Sequence, residues 1–124
     1  MPRILLVDDE DSVREVAQMS LEVMGGWEVI AVSSGRDALA RAAAEKPDAI
    51  LLDVMMPEMD GPTTFQELQK QPETSGIPVV LLTAKVQSQD RAHFAELGVA
   101  GVVTKPFDPA TLHQRVAELL GWKA

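Results

Sequence analysis

The chain has no cysteine and no tyrosine, only three phenylalanines and two tryptophans, and fewer basic residues (11) than acidic ones (19). Without cysteine there is no disulfide framework, no thiolate metal centre and no thiol nucleophile. That composition suits a reducing compartment, and a cytoplasmic location is expected. A formal net charge of -8 repels phosphate backbones unless a local basic patch compensates. None stands out, so no nucleic-acid contact is expected. No apolar run reaches the roughly 18 residues that a membrane span needs. Met1-Pro2-Arg3-Ile4 leads straight into a strand-like segment, without the charged, apolar and small-residue series of an export signal. Internal repeats, low-complexity tracts and linkers are also missing. A single domain over residues 1–124 with no output domain attached is therefore expected.

What is present is an alternation of two kinds of apolar segment. Short β-rich runs lie at Ile4 to Val7, Trp27 to Val32, Ala49 to Leu52, Ile77 to Leu82 and Gly101 to Val103. Between them the spacing turns helical. Val13, Val16, Ala17, Leu21 and Met24 form one stripe and Leu112, Val116, Leu119 and Leu120 another, each expected to face a sheet. Gly25-Gly26 stops the first helix, Ser34 and Asp37 suit the start of the second, and Asp108-Pro109 opens the last. A fourth helix near Ser88 to Leu97 has the weakest periodicity. The second to fourth runs are almost continuously apolar, as in strands covered on both faces. Strand-helix alternation then implies right-handed crossovers, a parallel sheet and a doubly wound α/β class.

Open parallel sheets bind ligands beyond the carboxyl ends of their strands, and the residues expected there are polar. The first run ends in Asp8-Asp9-Glu10, the third in Asp53 and the fourth in Thr83, while Thr104-Lys105-Pro106 follows the fifth. If the first and third strands are neighbours, Asp8, Asp9 and Asp53 converge on one crevice, with Thr83 and Lys105 at its side. Three carboxylates in a partly dehydrated pocket must take up a proton or recruit a cation, and hard oxygen donors select Mg²⁺. A divalent ion with one ammonium balances the three charges and leaves electrophilic positions for phosphoryl oxygens. Asp53 is a credible nucleophile for phosphoryl transfer, because a carboxylate is ionised at neutral pH and needs no general base. The acyl phosphate so formed is reactive and short-lived, which suits a resettable signal. The Thr83 hydroxyl could turn to meet the new oxygens and draw its loop inward.

Taken together, Leu5-Leu6-Val7-Asp8-Asp9-Glu10, Leu51-Leu52-Asp53-Val54-Met55-Met56-Pro57-Glu58-Met59-Asp60-Gly61, Leu81-Leu82-Thr83-Ala84 and Thr104-Lys105-Pro106-Phe107 resemble the response regulator receiver domains, including single-domain chemotaxis and sporulation regulators. The resemblance spans the chain. It implies a flavodoxin-like (βα)5 sheet in the order 2-1-3-4-5, Asp53 as phosphoacceptor and Mg²⁺ held by Asp8, Asp9, Asp53 and the Met55 backbone carbonyl. Thr83 and Lys105 would bind the phosphoryl group, with a cis bond before the proline that follows the lysine. The implied partners are a sensor histidine kinase or histidine phosphotransfer protein, a downstream effector and a second copy in a weak homodimer. The altered face would run from Ala84 to Leu120. Such a protein is a phosphorylation-driven switch that catalyses only its own phosphorylation and dephosphorylation. Many receivers carry an aromatic residue three positions before the lysine, where this chain has Val102. Met55 and Lys85 occupy the variable positions associated with phosphoryl lifetime.

Each feature has a plainer explanation when taken alone. Acidic residues after an apolar run are often caps or turn residues, and a lone threonine or lysine at a strand end is usually solvated. Four strand ends delivering compatible groups to one edge outweigh those single explanations. Two other functions are disfavoured: an aspartate-nucleophile hydrolase typically carries a second acid where Met55 stands, and a constitutive binding module would show a broken acidic pocket. His93 and His113 lack partner spacing and read as helix-surface residues. Met55, Met56 and Met59 read as loop packing, and Trp27 and Trp122 as cover for core edges.

Overall fold

The computed structural model describes residues 2–84 and 88–122, with the side chains of residues 88–91 left outside that description. In chain order the elements are β1 (Arg3–Val7), α1 (Asp11–Val23), β2 (Glu28–Val32), α2 (Gly35–Glu45), β3 (Ala49–Asp53), α3 (Gly61–Lys70), β4 (Val79–Thr83), α4 (Ser88–Leu97), β5 (Gly101–Thr104) and α5 (Leu112–Leu120). The strands form one sheet ordered β2-β1-β3-β4-β5, and every neighbouring pair is parallel. The flavodoxin-like α/β class and its 2-1-3-4-5 order are thus the observed ones.

The two-residue period of each strand builds a core on both sheet faces. Leu5, Val7, Ile50, Leu52 and Leu81 pack with Ala38 and Ala42 of α2, Phe65 and Leu68 of α3 and Phe94 of α4. Ile4, Leu6, Leu51, Val80 and Leu82 point the other way, onto Ala17 and Leu21 of α1 and Leu112 and Val116 of α5. β3 and β4 are buried along their whole length. β2 is not: it is an outer strand and stays half-buried, so the expectation of full cover holds for only two of the three apolar runs.

Local differences from the expected elements have identifiable causes. β4 begins at Val79 rather than Ile77, because the Ile77 amide closes a turn onto the Thr74 carbonyl and Pro78 has no amide to donate. α5 begins at Leu112 rather than at Asp108-Pro109, where Asp108 caps a preceding turn through the Ala110 amide. Ser34 caps α2 by accepting from the Asp37 amide, and Asp60 caps α3 through Thr63. The stripe expected on α1 is narrower than its apolar spacing suggests. Ala17 and Leu21 are buried, whereas Val16 and Met24 are 44% and 52% exposed. Trp27 and Trp122 meet edge to face at 5.3 Å and pack on the α1/α5 side of the core. His113 is not a free surface residue, since its ring lies against Trp27 and its Nδ1 is buried.

Candidate functional site

The strand order places the ends of β1 and β3 side by side, and their register brings Val7 opposite Leu52. The residues that follow, Asp8 and Asp53, therefore reach the same crevice. Asp8 is fully buried and Asp53 is 1% exposed. β4 supplies Thr83, which is also buried and pairs in register with Thr104 of β5. Lys105 then leaves β5 with its amide bonded to the Thr83 carbonyl at 2.7 Å, and its peptide bond to Pro106 is cis.

Lys105 Nζ lies 3.0 Å from Asp8 Oδ2 and 3.3 Å from Asp53 Oδ1, with Glu10 Oε1 at 3.5 Å. The ammonium bridges both buried carboxylates but cannot saturate them. Asp8 Oδ1 accepts from the Glu10 amide and Asp53 Oδ1 from the Met55 amide. Asp8 Oδ2, Asp9 Oδ1 and Asp53 Oδ2 are buried with no hydrogen-bond partner among the described residues; the Lys105 contact to Asp8 Oδ2 is an ion pair without hydrogen-bond alignment. Burial, and then the negative charge of Asp8, push the Asp53 carboxyl up to about 7, although Lys105 pulls it down. Burial alone would lower the Lys105 value. The Asp8 and Asp53 carboxylates outweigh it and hold the ammonium above its usual range.

One carboxylate oxygen from each of Asp8, Asp9 and Asp53 lies within 4.8 Å of the others. Orphaned buried carboxylate oxygens carry a large desolvation penalty, and a cation is the simplest group that removes it. The donors are all oxygen, so they fit a hard divalent ion such as Mg²⁺. Loop geometry keeps the cluster in place. Val54 donates to Leu82 and accepts from Gly61, which packs so tightly that an added Cβ at 61 would lie 2.8 Å from Val54 Cα and closer still to the Asp53 carbonyl oxygen.

A family profile for the response regulator receiver domain matches residues 4–117. The chain belongs to the response regulator receiver family. It is 42% identical over 118 residues to the alkaline phosphatase synthesis transcriptional regulatory protein PhoP of Bacillus subtilis, covering 95% of this chain and 48% of that protein. The DNA-binding dual master transcriptional regulator RpaA of Synechocystis is 39% identical over 120 residues, covering 97% of this chain and 49% of that protein. The receiver thus spans about half the length of these curated relatives. Among solved structures, the chemotaxis protein CheY4 of Vibrio cholerae superposes with a TM-score of 0.89 at 31% identity, covering 96% of this chain and 98% of that one. As a member of this family the receiver is a signalling module of two-component systems. No described helix is long and apolar enough to cross a membrane.

The receiver's structure brings together Asp8, Asp9, Asp53 and Lys105, with Thr83 at the adjoining strand end. Met55 stands beside them, but its side chain is 73% exposed and does not pack in the loop, whereas Met56 is buried in the core. Lys85 lies outside the described residues. Sequence reasoning missed Arg14, whose Nη1 donates to the Asp8 carbonyl at 2.8 Å and so braces the end of β1. Its ion pair with Asp11, three residues earlier on α1, was a readable signal of a fixed orientation. The Glu10 carboxylate was likewise seen only as part of an acidic run, not as a third partner of Lys105.

Proposed function

We propose that Asp53 is the phosphoacceptor of this receiver and takes its phosphoryl group from a phosphohistidine on a sensor kinase or phosphotransfer protein. The observation that carries this reading is the buried carboxylate set, in which three oxygens lack a hydrogen-bond donor and, among the described residues, one ammonium bridges Asp8 and Asp53. Asp8, Asp9, Asp53 and the Met55 backbone carbonyl would hold Mg²⁺, which when bound supplies charge neutralisation for the incoming phosphoryl oxygens. An Asp53 carboxylate oxygen attacks phosphorus in line and the bond to the donor imidazole nitrogen breaks; the ring, protonated on its other nitrogen, takes the electron pair and departs as neutral histidine, leaving a mixed anhydride. Lys105 gives up part of its contact with Asp53 Oδ1 to reach a phosphoryl oxygen. The Thr83 hydroxyl donates to another and draws its strand end with it.

Among the described residues no group stands out as a base for hydrolysing external esters, and the chain is read as a switch that acts only on its own carboxyl; a cytoplasmic setting suits its lack of cysteine. The negative net charge argues against nucleic-acid contact by this segment, and the DNA-binding role in the name of its Synechocystis relative belongs to a protein about twice as long. A downstream effector, or a second copy, would read the altered surface.

Incubation with a small phosphodonor and Mg²⁺, followed by intact mass measurement, tests the assignment. One phosphoryl mass is expected on the native protein and none on Asp53→Asn or after chelation. Labelling indifferent to either change rejects it. Thr83→Ala is expected to label normally while its partner response falls.

A further inference from the structure

β2 is an outer strand that pairs with β1 alone. The Glu28 amide donates to the Pro2 carbonyl and the Val32 carbonyl accepts from the Asp8 amide. Backbone groups of Glu28, Ile30 and Val32 therefore face β1. By the two-residue period of a strand, those of Val29, Ala31 and Ser33 face outward. No hydrogen bond among the described residues engages them.

This free edge is recessed. α1 and α2 pack on opposite faces of the sheet, and between them lies a hollow of about 400 Å³ bordered by Arg14, Ala31, Ser33, Asp37 and Arg41. Arg14 uses two contacts, to the Asp8 carbonyl and the Asp11 carboxylate, and a guanidinium has five N–H donors. Arg41 makes no ion pair or hydrogen bond among the described residues, although Asp37 stands one helical turn away. An unpaired guanidinium at a hollow is notable in a chain of net charge -8.

We propose that the outer edge of β2 is a docking groove for an extended, acidic peptide, which adds as a strand beside β2 and places carboxylates against Arg14 and Arg41. Outward N–H and C=O groups at strand spacing are met together only by another backbone in extended form. The guanidinium of Arg41, unpaired among the described residues, and the spare donors of Arg14 favour acidic side chains, against the one carboxylate of Asp37 on the same rim. A second copy of this chain fits less well, because a two-fold axis on the edge would bring Arg14 and Arg41 towards their own equivalents and add another charge of -8. Outer strands are commonly protected by short length and flanking charge, and β2 has five residues with exposed Glu28 at its start. Protection of that kind blocks the backbone, however, whereas here the charges stand to either side and leave the groups at Ala31 and Ser33 open. The groove shares Arg14 with the acidic site, so an occupant touches the residue that braces Asp8.

The test uses a capped peptide of alternating valine and glutamate, added to the full chain, with amide hydrogen exchange and backbone NMR shifts as readouts. Slowed exchange at Val29, Ala31 and Ser33 is expected, and the same peptide N-methylated at alternate positions should give none. Arg41→Glu lies on an exposed helix position; it should weaken the glutamate peptide on the order of tenfold and favour a valine-lysine counterpart. The proposal is overturned if exchange at those amides is unchanged, if inorganic phosphate reproduces the whole response, if the same amides are protected without peptide in a sedimenting dimer, or if a folded Arg41→Glu variant binds both peptides alike.

Discussion

Asp53→Asn should stabilise the metal-free protein at pH 8 and have little effect near pH 4. The Asp53 carboxyl ionises near 3.8 when solvated and is pushed up to about 7 in the fold, first by burial and then by the charge of Asp8. Below about pH 4 both states hold the proton and folding gains or loses nothing. Between about 4 and 7 the folded state keeps a proton that the unfolded state has released, so stability falls as pH rises. Above 7 the whole penalty is present. A displacement of about three pH steps, at about 1.4 kcal/mol each, corresponds to about 4 kcal/mol. Asparagine keeps the shape and removes the charge, and the attraction of Lys105 at 3.3 Å is already contained in that displacement. A gain of up to about 4 kcal/mol is therefore expected, or ~12–20 °C in Tm for a domain of this size. Thermal unfolding in EDTA at both pH values measures it. Adding Mg²⁺ at pH 8 should raise the Tm of the native protein and narrow the gap to the variant. A variant that is less stable at pH 8, or equally stabilised at both pH values, would refute the view that Asp53 is held at an electrostatic cost.

Lys105→Met removes the ammonium that, among the described residues, reaches both Asp8 and Asp53, so the chelated protein should lose about 2–4 kcal/mol at pH 8 in urea denaturation. Part of that loss should return with Mg²⁺. Gly61→Ala would drive a methyl group into the Asp53 carbonyl and Val54 Cα, both backbone atoms that cannot rotate away. We expect a loss of about 1–3 kcal/mol, with weaker Mg²⁺ binding by calorimetry as the carboxylate shifts. Lys46 ends α2 in the left-handed region at φ 47, where a Cβ is unfavourable. Lys46→Gly should therefore raise stability by about 1 kcal/mol without changing phosphoryl labelling.

Much of the architecture was legible because the relevant signals are local. Period-two and helical spacing located five strands and the helices between them, and Ser34 before a helical run announced its own cap. The polar residue at each strand end was equally plain, since the carboxyl edge of a parallel sheet is a place and not a contact. What the pattern could not supply was occupancy of the opposite side. Val16 and Met24 have the spacing of core residues, yet they stay about half exposed, because the face of α1 that meets the sheet is filled by Ala17 and Leu21. β2 reads like β3 in sequence and differs only because no strand follows it outward. In the same way, three aspartates and a lysine could be named from the chain. Only folding decided that one ammonium would stand 3.0 and 3.3 Å from two of them while three buried carboxylate oxygens found no hydrogen-bond donor among the described residues. Those distances depend on strand order and register, which bring Lys105 to partners 97 and 52 positions earlier in the chain. Local periodicity carries no record of such long-range placement.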